Sequence, residues 1–461
     1  STLNPETRRS GGMHYTSIEN IHKVIDPLFL DGLRAELEEI KEIAVDKTRK
    51  ARLGAFQSKL AGLTFLDPAC GSGNFLTETY LSLRKRENEV LRCSTDQISM
   101  DLEGIIQVSI GQFYGIEIND FAVTVAKTAL WIAESQMMKE TEDVVHMSLD
   151  FLPLKSYANI TEGNALRLDW ESVVPKDELN YIMGNPPFVG KKEQSKEQKK
   201  ELIDVWDSAK GVGNLDYVTG WYKKAAMIMQ GSDIRSAFVS TNSITQGEQV
   251  PAFWKNLYRM GVHIDFAHRT FRWDSEASLK AHVHCVIIGV STAQATREKR
   301  LYTAEKYQIV NNINPYLVDA PSILIESRTT NICKTPPILY GSMPIDDGHL
   351  ILERDDVFEL LEENPSNEKY IRKYAGGAEL IQGKERWCLW LKGINPKEIR
   401  NSKLIMERIK ATADFRRSSN RPQTLALADT PTLFGEIRQP DTDMLAIPKV
   451  SSEKRRYIPI C

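Results

Sequence analysis

Three short stretches carry residue types that could act together on a ligand. Asp67 ends an apolar run in Phe65–Leu76 (FLDPACGSGNFL) and is followed by Gly71 and Gly73. Two glycines at that point let backbone approach a ligand closely, and the helix start beyond them offers free N–H groups to a carboxylate or phosphate. Asp67 could accept from an ammonium group. No third glycine stands at dinucleotide spacing and no Lys-Ser/Thr pair follows, so neither the NAD fingerprint nor the P-loop is met. Glu117 ends the next apolar run, Gln112–Ile118 (QFYGIEI), where a carboxylate suits the two hydroxyls of a ribose; spacing alone favours an ordinary solvated glutamate. In Tyr181–Phe188 (YIMGNPPF) two prolines stiffen the backbone after Asn185. That is either a rigid turn or a fixed amide and main-chain carbonyl aimed at an amine, with Phe188 as a stacking face.

The elements needed to hold these groups are legible in the periodicity. Leu63–Leu66, Gln112–Ile118, a short run from Ile160, Asn180–Met183, Ser236–Ser240, His263–His268 and His282–Val290 read as strands. Asp31–Arg49, a segment from Asn74, Asp120–Lys139, Tyr217–Met229 and Val250–Met260 read as helices. Such alternation predicts an α/β fold, a largely parallel sheet covered on both faces. From about residue 305 prolines multiply and long periodic helices are few, which predicts a second domain, mixed or β-rich. Trp387–Leu391 and Leu445–Val450 are its strand candidates, the latter confined to an edge by Pro448. The expected partition is 1–60 helical, 61–304 around the three stretches, and 305–461. The chain opens on Ser and stops in an apolar segment, Tyr457–Cys461, so both ends read as fragment boundaries.

Composition narrows the class. Over 461 residues, 41% hydrophobic and 26% charged, the chain can bury a large core. Six scattered cysteines form no zinc pattern, so no metal is expected and a reduced compartment fits. No apolar run is long enough to span a bilayer, and no leader opens the sequence. A net charge of −3 gives no global nucleic-acid signal. Two local clusters remain, Lys191-Lys192 with Lys196, Lys199 and Lys200, and Arg416-Arg417 with Arg421. Glu193, Glu197 and Glu201 alternate with the lysines, so a solvated helix face explains the first cluster equally well.

Taken together, the stretches resemble class I S-adenosylmethionine-dependent DNA methyltransferases that modify adenine N6. DPACGSGNF looks like their cofactor loop, NPPF like their catalytic tetrapeptide, and Gly12–Ser17 (GMHYTS) like their upstream cofactor motif. The motif order is that of the γ arrangement, and the likeness over most of residues 12–290 is greatest to MmeI-like restriction–modification enzymes. This resemblance implies a Rossmann-like methyltransferase domain followed by a target-recognition domain, acting on double-stranded DNA in a prokaryotic cytoplasm. By the same resemblance, Tyr15, Thr16, Asp67, Ala69, Gly71 and Gly73 hold the methionine end of the cofactor. Glu117 takes the ribose, Ile118 lies against the adenine ring, and Asn164 contacts its edge. Asn185, Pro186, Pro187 and Phe188 act on a flipped adenine, Phe271 forms a second wall, and Lys191 and Lys192 meet DNA.

A nuclease is associated with such enzymes. Asp31 with Glu39-Ile-Lys41 fits the loose spacing of a metal-dependent site, but it lies in a helical Leu/Glu/Lys pattern, so a nuclease is expected before Ser1 or on a separate subunit. Two other readings stay open: a specificity subunit with a vestigial transferase, and a methyltransferase for RNA or a protein glutamine.

Overall fold

A computed structural model of the chain describes residues 16–94, 105–146, 158–273, 283–292, 298–440, 442–451 and 455–460. Contacts divide it into two units, Ser1–Ser327 and Arg328–Cys461. In the first, helices α1 (Ile18–Ile25), α2 (Asp31–Lys41) and α3 (Asp46–Ala61) precede strand β1 (Phe65–Asp67). There follow α4 (Asn74–Cys93), β2 (Phe113–Glu117), α5 (Asp120–Val145), β3 (Asn159–Glu162) and β4 (Tyr181–Gly184). Next come α6 (Lys196–Val205), α7 (Thr219–Ile228), β5 (Arg235–Thr241), α8 (Gln249–Arg259), β6 (His263–Trp273), β7 (Val283–Ser291), β8 (Lys299–Thr303) and β9 (Lys306–Val310).

The nine strands form one sheet in the order β3-β2-β1-β4-β5-β7-β6-β8-β9. The first five are mutually parallel, and β7 runs antiparallel to both β5 and β6. The β8–β9 hairpin carries this sheet past residue 304, where the texture of the sequence changes. Alternating side chains serve opposite layers, as the two-residue period of a strand requires. Phe65, Met183, Val239 and Ile287 pack with α1 to α5. Leu66, Ile182, Phe238 and Ile288 pack with α6 to α8. Phe29, which links α1 to α2, meets Phe65 at 5.0 Å between ring centroids, and Phe65 stacks on Phe113 at 5.2 Å. Each such ring contributes roughly 1.5–3 kcal/mol by leaving water, so the helical N-terminal segment is docked on the sheet rather than trailing from it.

The second unit is mixed, with helices the larger part. β10 (Ile351–Leu352), β12 (Arg386–Leu389) and β11 (Ile371–Tyr374) form a three-stranded antiparallel sheet in that order. Helices α9 (Arg354–Glu363), α10 (Gly377–Gln382), α11 (Pro396–Ile399), α12 (Lys403–Arg417) and α13 (Pro422–Ala426) accompany it. The expected strand at Leu445–Val450 is not formed; the segment is irregular and largely exposed, with Leu445 at 78% and Val450 at 73%. Without a neighbouring strand to pair its N–H groups, an apolar pattern there has nothing to build a ladder on.

Arg416 overturns a second expectation. It is fully buried, and its guanidinium donates to the carbonyls of Pro344, Ile345, Leu427, Thr430 and Leu433 at 2.7–2.9 Å. It ties its own helix to two chain segments of this unit, 344–345 and 427–433, and is not a surface cation. Among the described residues, no helix is long and apolar enough to cross a membrane.

Candidate active site

In this sheet β1 lies between β2 and β4, so successive crossovers leave β1 in opposite directions and a crevice opens beyond the carboxyl ends of these strands. The three chemistry-bearing stretches all end there. Gly71 (φ 53°) and Gly73 (φ 83°) make the turn after β1 with left-handed backbone that other residues adopt only with strain. Gly73 also caps α4 and lies so near Ala126 of α5 that an added Cβ would meet its Cβ at 3.0 Å. An added Cβ at Gly71 would meet nothing within 4 Å, so open space lies above the turn.

Glu117 reaches across from β2. Its Oε2 accepts from Gly71 N–H at 2.9 Å and its Oε1 from Asn119 N–H at 3.0 Å. Each oxygen keeps one lone pair. Ile118 and Phe121, just beyond, are 64% and 56% exposed, an apolar surface at the rim. Asp67 is almost wholly buried, and its Oδ1 accepts from Ala69 N–H at 3.0 Å. Burial pushes its carboxyl up to about 8; the Ala69 N–H acts against the rise and the Glu117 charge adds to it. Among the described residues no cation pairs with it. A buried carboxylate of this kind fits a site for a positively charged ligand group.

The diproline corner adjoins this turn directly. β4 pairs with β1 through Phe65↔Tyr181 and Leu66↔Ile182, and a Cβ on Gly184 would collide with Asp67 Oδ1. Glycine is required there because the corner and the cofactor-like loop are in contact. Asn185 donates from Nδ2 to Thr16 Oγ1 at 3.2 Å, while its Oδ1 is buried with no hydrogen-bond partner. Thr16 is itself buried. An unmade bond at a buried acceptor costs about 1–3 kcal/mol, so this oxygen is built to receive a donor from outside. Pro186 is buried, and Phe188 is half-buried against the first core layer.

The remaining expected residues are spread more widely. Asn164 lies past β3, where Gly163 N–H donates to Glu117 O at 2.8 Å; Asn164 Nδ2 donates to Glu201 at 3.0 Å and its Oδ1 accepts from Leu166 N–H at 2.9 Å. Phe271 is partly buried in the first core layer, with the Lys23 ammonium 5.3 Å from its ring centroid. Lys191 and Lys192 are exposed, and the Lys191 ammonium donates to Asn214 Oδ1. Ala69 is half-buried against the second core layer, and Tyr15 lies outside the described residues. Asp31 is ion-paired with Arg300 at 3.1 Å and with Arg34 at 3.3 Å.

Several supporting residues had no sequence assignment. Asp216, buried, accepts from Lys191 N–H at 3.2 Å, Thr241 Oγ1–H at 3.2 Å and the Ser243 hydroxyl, which ties the loop after Phe188 to the end of β5. Trp221 donates its indole N–H to the Pro68 carbonyl at 3.0 Å and so pins the cofactor-like loop to α7. Glu201, read as part of a solvated lysine–glutamate face, is 9% exposed and points inward. One signal was available: Glu201 precedes Leu202 on the only apolar flank of α6.

Comparison with known proteins bears on the family of the chain. A family model described as the MmeI DNA-methyltransferase domain matches residues 42–303, more than half of the chain, and the MmeI target recognition domain matches residues 319–461. The chain belongs to the MmeI family of DNA methyltransferases. DNA methyltransferase A of Bacillus subtilis (strain 168) is 38% identical over 458 residues, which cover 99% of this chain and 51% of that protein. The solved structure of the Type IIL restriction-modification enzyme MmeI in complex with DNA is 45% identical and superposes with a TM-score of 0.88, covering 99% of this chain and 61% of that one. The chain thus spans about half the length of the curated relative. For an MmeI-family chain, the two units correspond in order to a methyltransferase domain and a target recognition domain.

Proposed function

We propose that this chain transfers a methyl group from S-adenosylmethionine to the N6 amine of an adenine within a specific double-stranded DNA sequence, as the modification part of a restriction–modification system. The observation that carries the reading is the bare, buried Oδ1 of Asn185, held by Thr16 beside the Asp67 turn. Membership of a family that uses this cofactor supports it. The cofactor supplies an electrophilic methyl group on a sulfonium. For its binding, Asp67 would accept the ammonium, Gly71 would leave room for the methionine end with Gly73 packed on Ala126 to hold the turn, Glu117 would accept the ribose hydroxyls and Ile118 would cover the adenine. Asn164 would contact the adenine.

The substrate sets what the corner must do. The lone pair of adenine N6 is delocalised into the ring, which makes it a poor nucleophile. Donating its two hydrogens to Asn185 Oδ1 and the Pro186 carbonyl favours a more tetrahedral nitrogen with a localised lone pair. Those bonds contribute only about 1 kcal/mol each, so most of the acceleration comes from alignment held by the rigid backbone of Pro186 and Pro187. The base must leave the duplex at a cost of a few kcal/mol. Stacking on Phe188, with Phe271 as a second wall, offsets about 1–3 kcal/mol. Lys191 and Lys192 meet phosphates nearby. The first unit, through Ser327, carries the transferase and the second, from Arg328, sequence recognition, so the hairpin past residue 304 and the N-terminal segment belong with the transferase. A nuclease would reside elsewhere or on another subunit.

Incubating the protein with tritiated S-adenosylmethionine and a pool of random duplexes, followed by nucleoside analysis, tests this. Label in N6-methyladenine within one sequence context is expected. Label in cytosine, in RNA or in protein alone would overturn the proposal.

A further inference from the structure

The Asn164 side chain sits between two partners with opposite demands. Leu166 N–H, at 2.9 Å, requires an acceptor, and the Glu201 carboxylate, at 3.0 Å, requires a donor. Of the two ways an amide can be turned, one alone satisfies both: Oδ1 toward Leu166 and Nδ2 toward Glu201. Glu201 is held in place. It is 9% exposed, and it also accepts from Arg167 Nε–H at 2.8 Å, from a second Arg167 nitrogen at 2.5 Å and from the Tyr217 hydroxyl. Burial, and then the Glu201 carboxylate, hold the Tyr217 phenol above its ordinary range, so it stays a donor. The Tyr217 backbone N–H donates to Val189 O at 3.0 Å, beside Phe188, so the same residue also braces the loop after the diproline corner.

We infer that Glu201 locks the Asn164 amide so that its Oδ1, with one lone pair left beyond Leu166, is the atom offered to the cofactor's purine, which makes the site selective for a 6-amino over a 6-oxo purine. This rests on the reading that Asn164 faces the cofactor's adenine. A 6-amino group donates to Oδ1; a 6-oxo group presents a second acceptor and leaves two acceptors opposed with no hydrogen between them. The same pair accounts for Asn rather than Asp at position 164. A carboxylate there would lie within hydrogen-bond distance of another carboxylate, and like charges that close disfavour joint ionisation.

Calorimetric titration of the 461-residue chain with S-adenosyl-L-homocysteine and its 6-oxo analogue, S-inosyl-L-homocysteine, tests the inference without turnover. The wild-type chain is expected to prefer the adenosyl ligand by roughly ten- to a hundredfold. Glu201→Ala, which removes the acceptor facing Asn164 Nδ2, should reduce that preference severalfold. Asn164→Asp should weaken adenosyl binding at pH 8, and adding Glu201→Gln to it should restore binding, which separates a lost lock from a lost fold. Unchanged preference in Glu201→Ala, or wild-type binding in Asn164→Asp, would overturn the inference while leaving the cofactor site standing. Unchanged preference in Asn164→Ala would overturn the assignment of Asn164 to the purine, and the inference with it. Binding of neither ligand would overturn both the cofactor reading and this one.

Discussion

Asn185 and Asp67 are both buried acceptors, but they are prepared differently. The Asn185 Nδ2 donates to Thr16 while its Oδ1 has no partner among the described residues, which leaves that oxygen free to accept in the proposed reaction. Asn185→Ala is expected to lower kcat at least about 100-fold, the size of effect seen when one preorganised polar group is lost at a reacting centre. Affinity for S-adenosyl-L-homocysteine, read by calorimetry, should stay within about twofold. Asp67 gives a pH signature instead. With its carboxyl held up to about 8, the folded chain keeps a proton that an unfolded Asp, ordinarily near 3.9, has lost. Its contribution to stability therefore falls as pH rises from about 4 to 8. Binding of a cationic ligand group favours the ionised form, so affinity for S-adenosyl-L-homocysteine should fall as pH drops from 8 to 6, by up to about tenfold per unit. Asp67→Asn should flatten that slope and raise the melting temperature at pH 8. A wild-type affinity independent of pH across this range would remove Asp67 from the site.

At the scale of elements, placement depends on close contacts that the sequence states only in part. The strands β1, β2, β4 and β5 and the glycine turn were readable because alternation and φ > 0 are local properties. That Gly184 must be glycine is not local: it follows from β4 lying beside β1, with Asp67 Oδ1 in the space a Cβ would fill. Gly184→Ala is expected to destabilise by about 1–3 kcal/mol as an overpacked site, and to weaken cofactor affinity together with it, measurable by denaturant titration and calorimetry. Helix α1 brings Thr16 to the corner and is itself anchored by His22, whose Nδ1 and Nε2 meet Asp26 at 2.8 Å and Glu78 at 3.1 Å. The hydrogen bond with Asp26, then that with Glu78, raise His22 to about 9. Its stabilising contribution is complete below about 6.5 and is lost as pH rises through 9. His22→Gln should lower the melting temperature at pH 6 and leave it nearly unchanged at pH 10; equal losses at both would exclude this anchor.

Over the whole molecule, two units with separate cores divide the labour. Arg416 organises the second by donating to five carbonyls, so Arg416→Met leaves those acceptors buried and unpaired. A loss above about 3 kcal/mol is expected for that unit. Because the residues proposed to hold the cofactor all lie in the first unit, S-adenosyl-L-homocysteine affinity should be retained while sequence-selective methylation is lost. Calorimetric binding and a duplex methylation assay on the same preparation would check this; equal loss of both would mean that the units do not fold independently.

The residues themselves determined the α/β alternation and the motifs that carry the family resemblance, because a glycine turn after a strand and an asparagine followed by two prolines are built from consecutive residues. Tertiary structure alone decided which atoms are left open and which are committed. Thr16, 169 residues away, takes the Nδ2 side of the Asn185 amide, and no described donor reaches its Oδ1. Glu201 and Arg416 are interior because the elements around them fold over charges that a linear reading assigns to solvent. Hydrogen-bond satisfaction depends on neighbours in space, and those are set by packing between segments far apart in the chain.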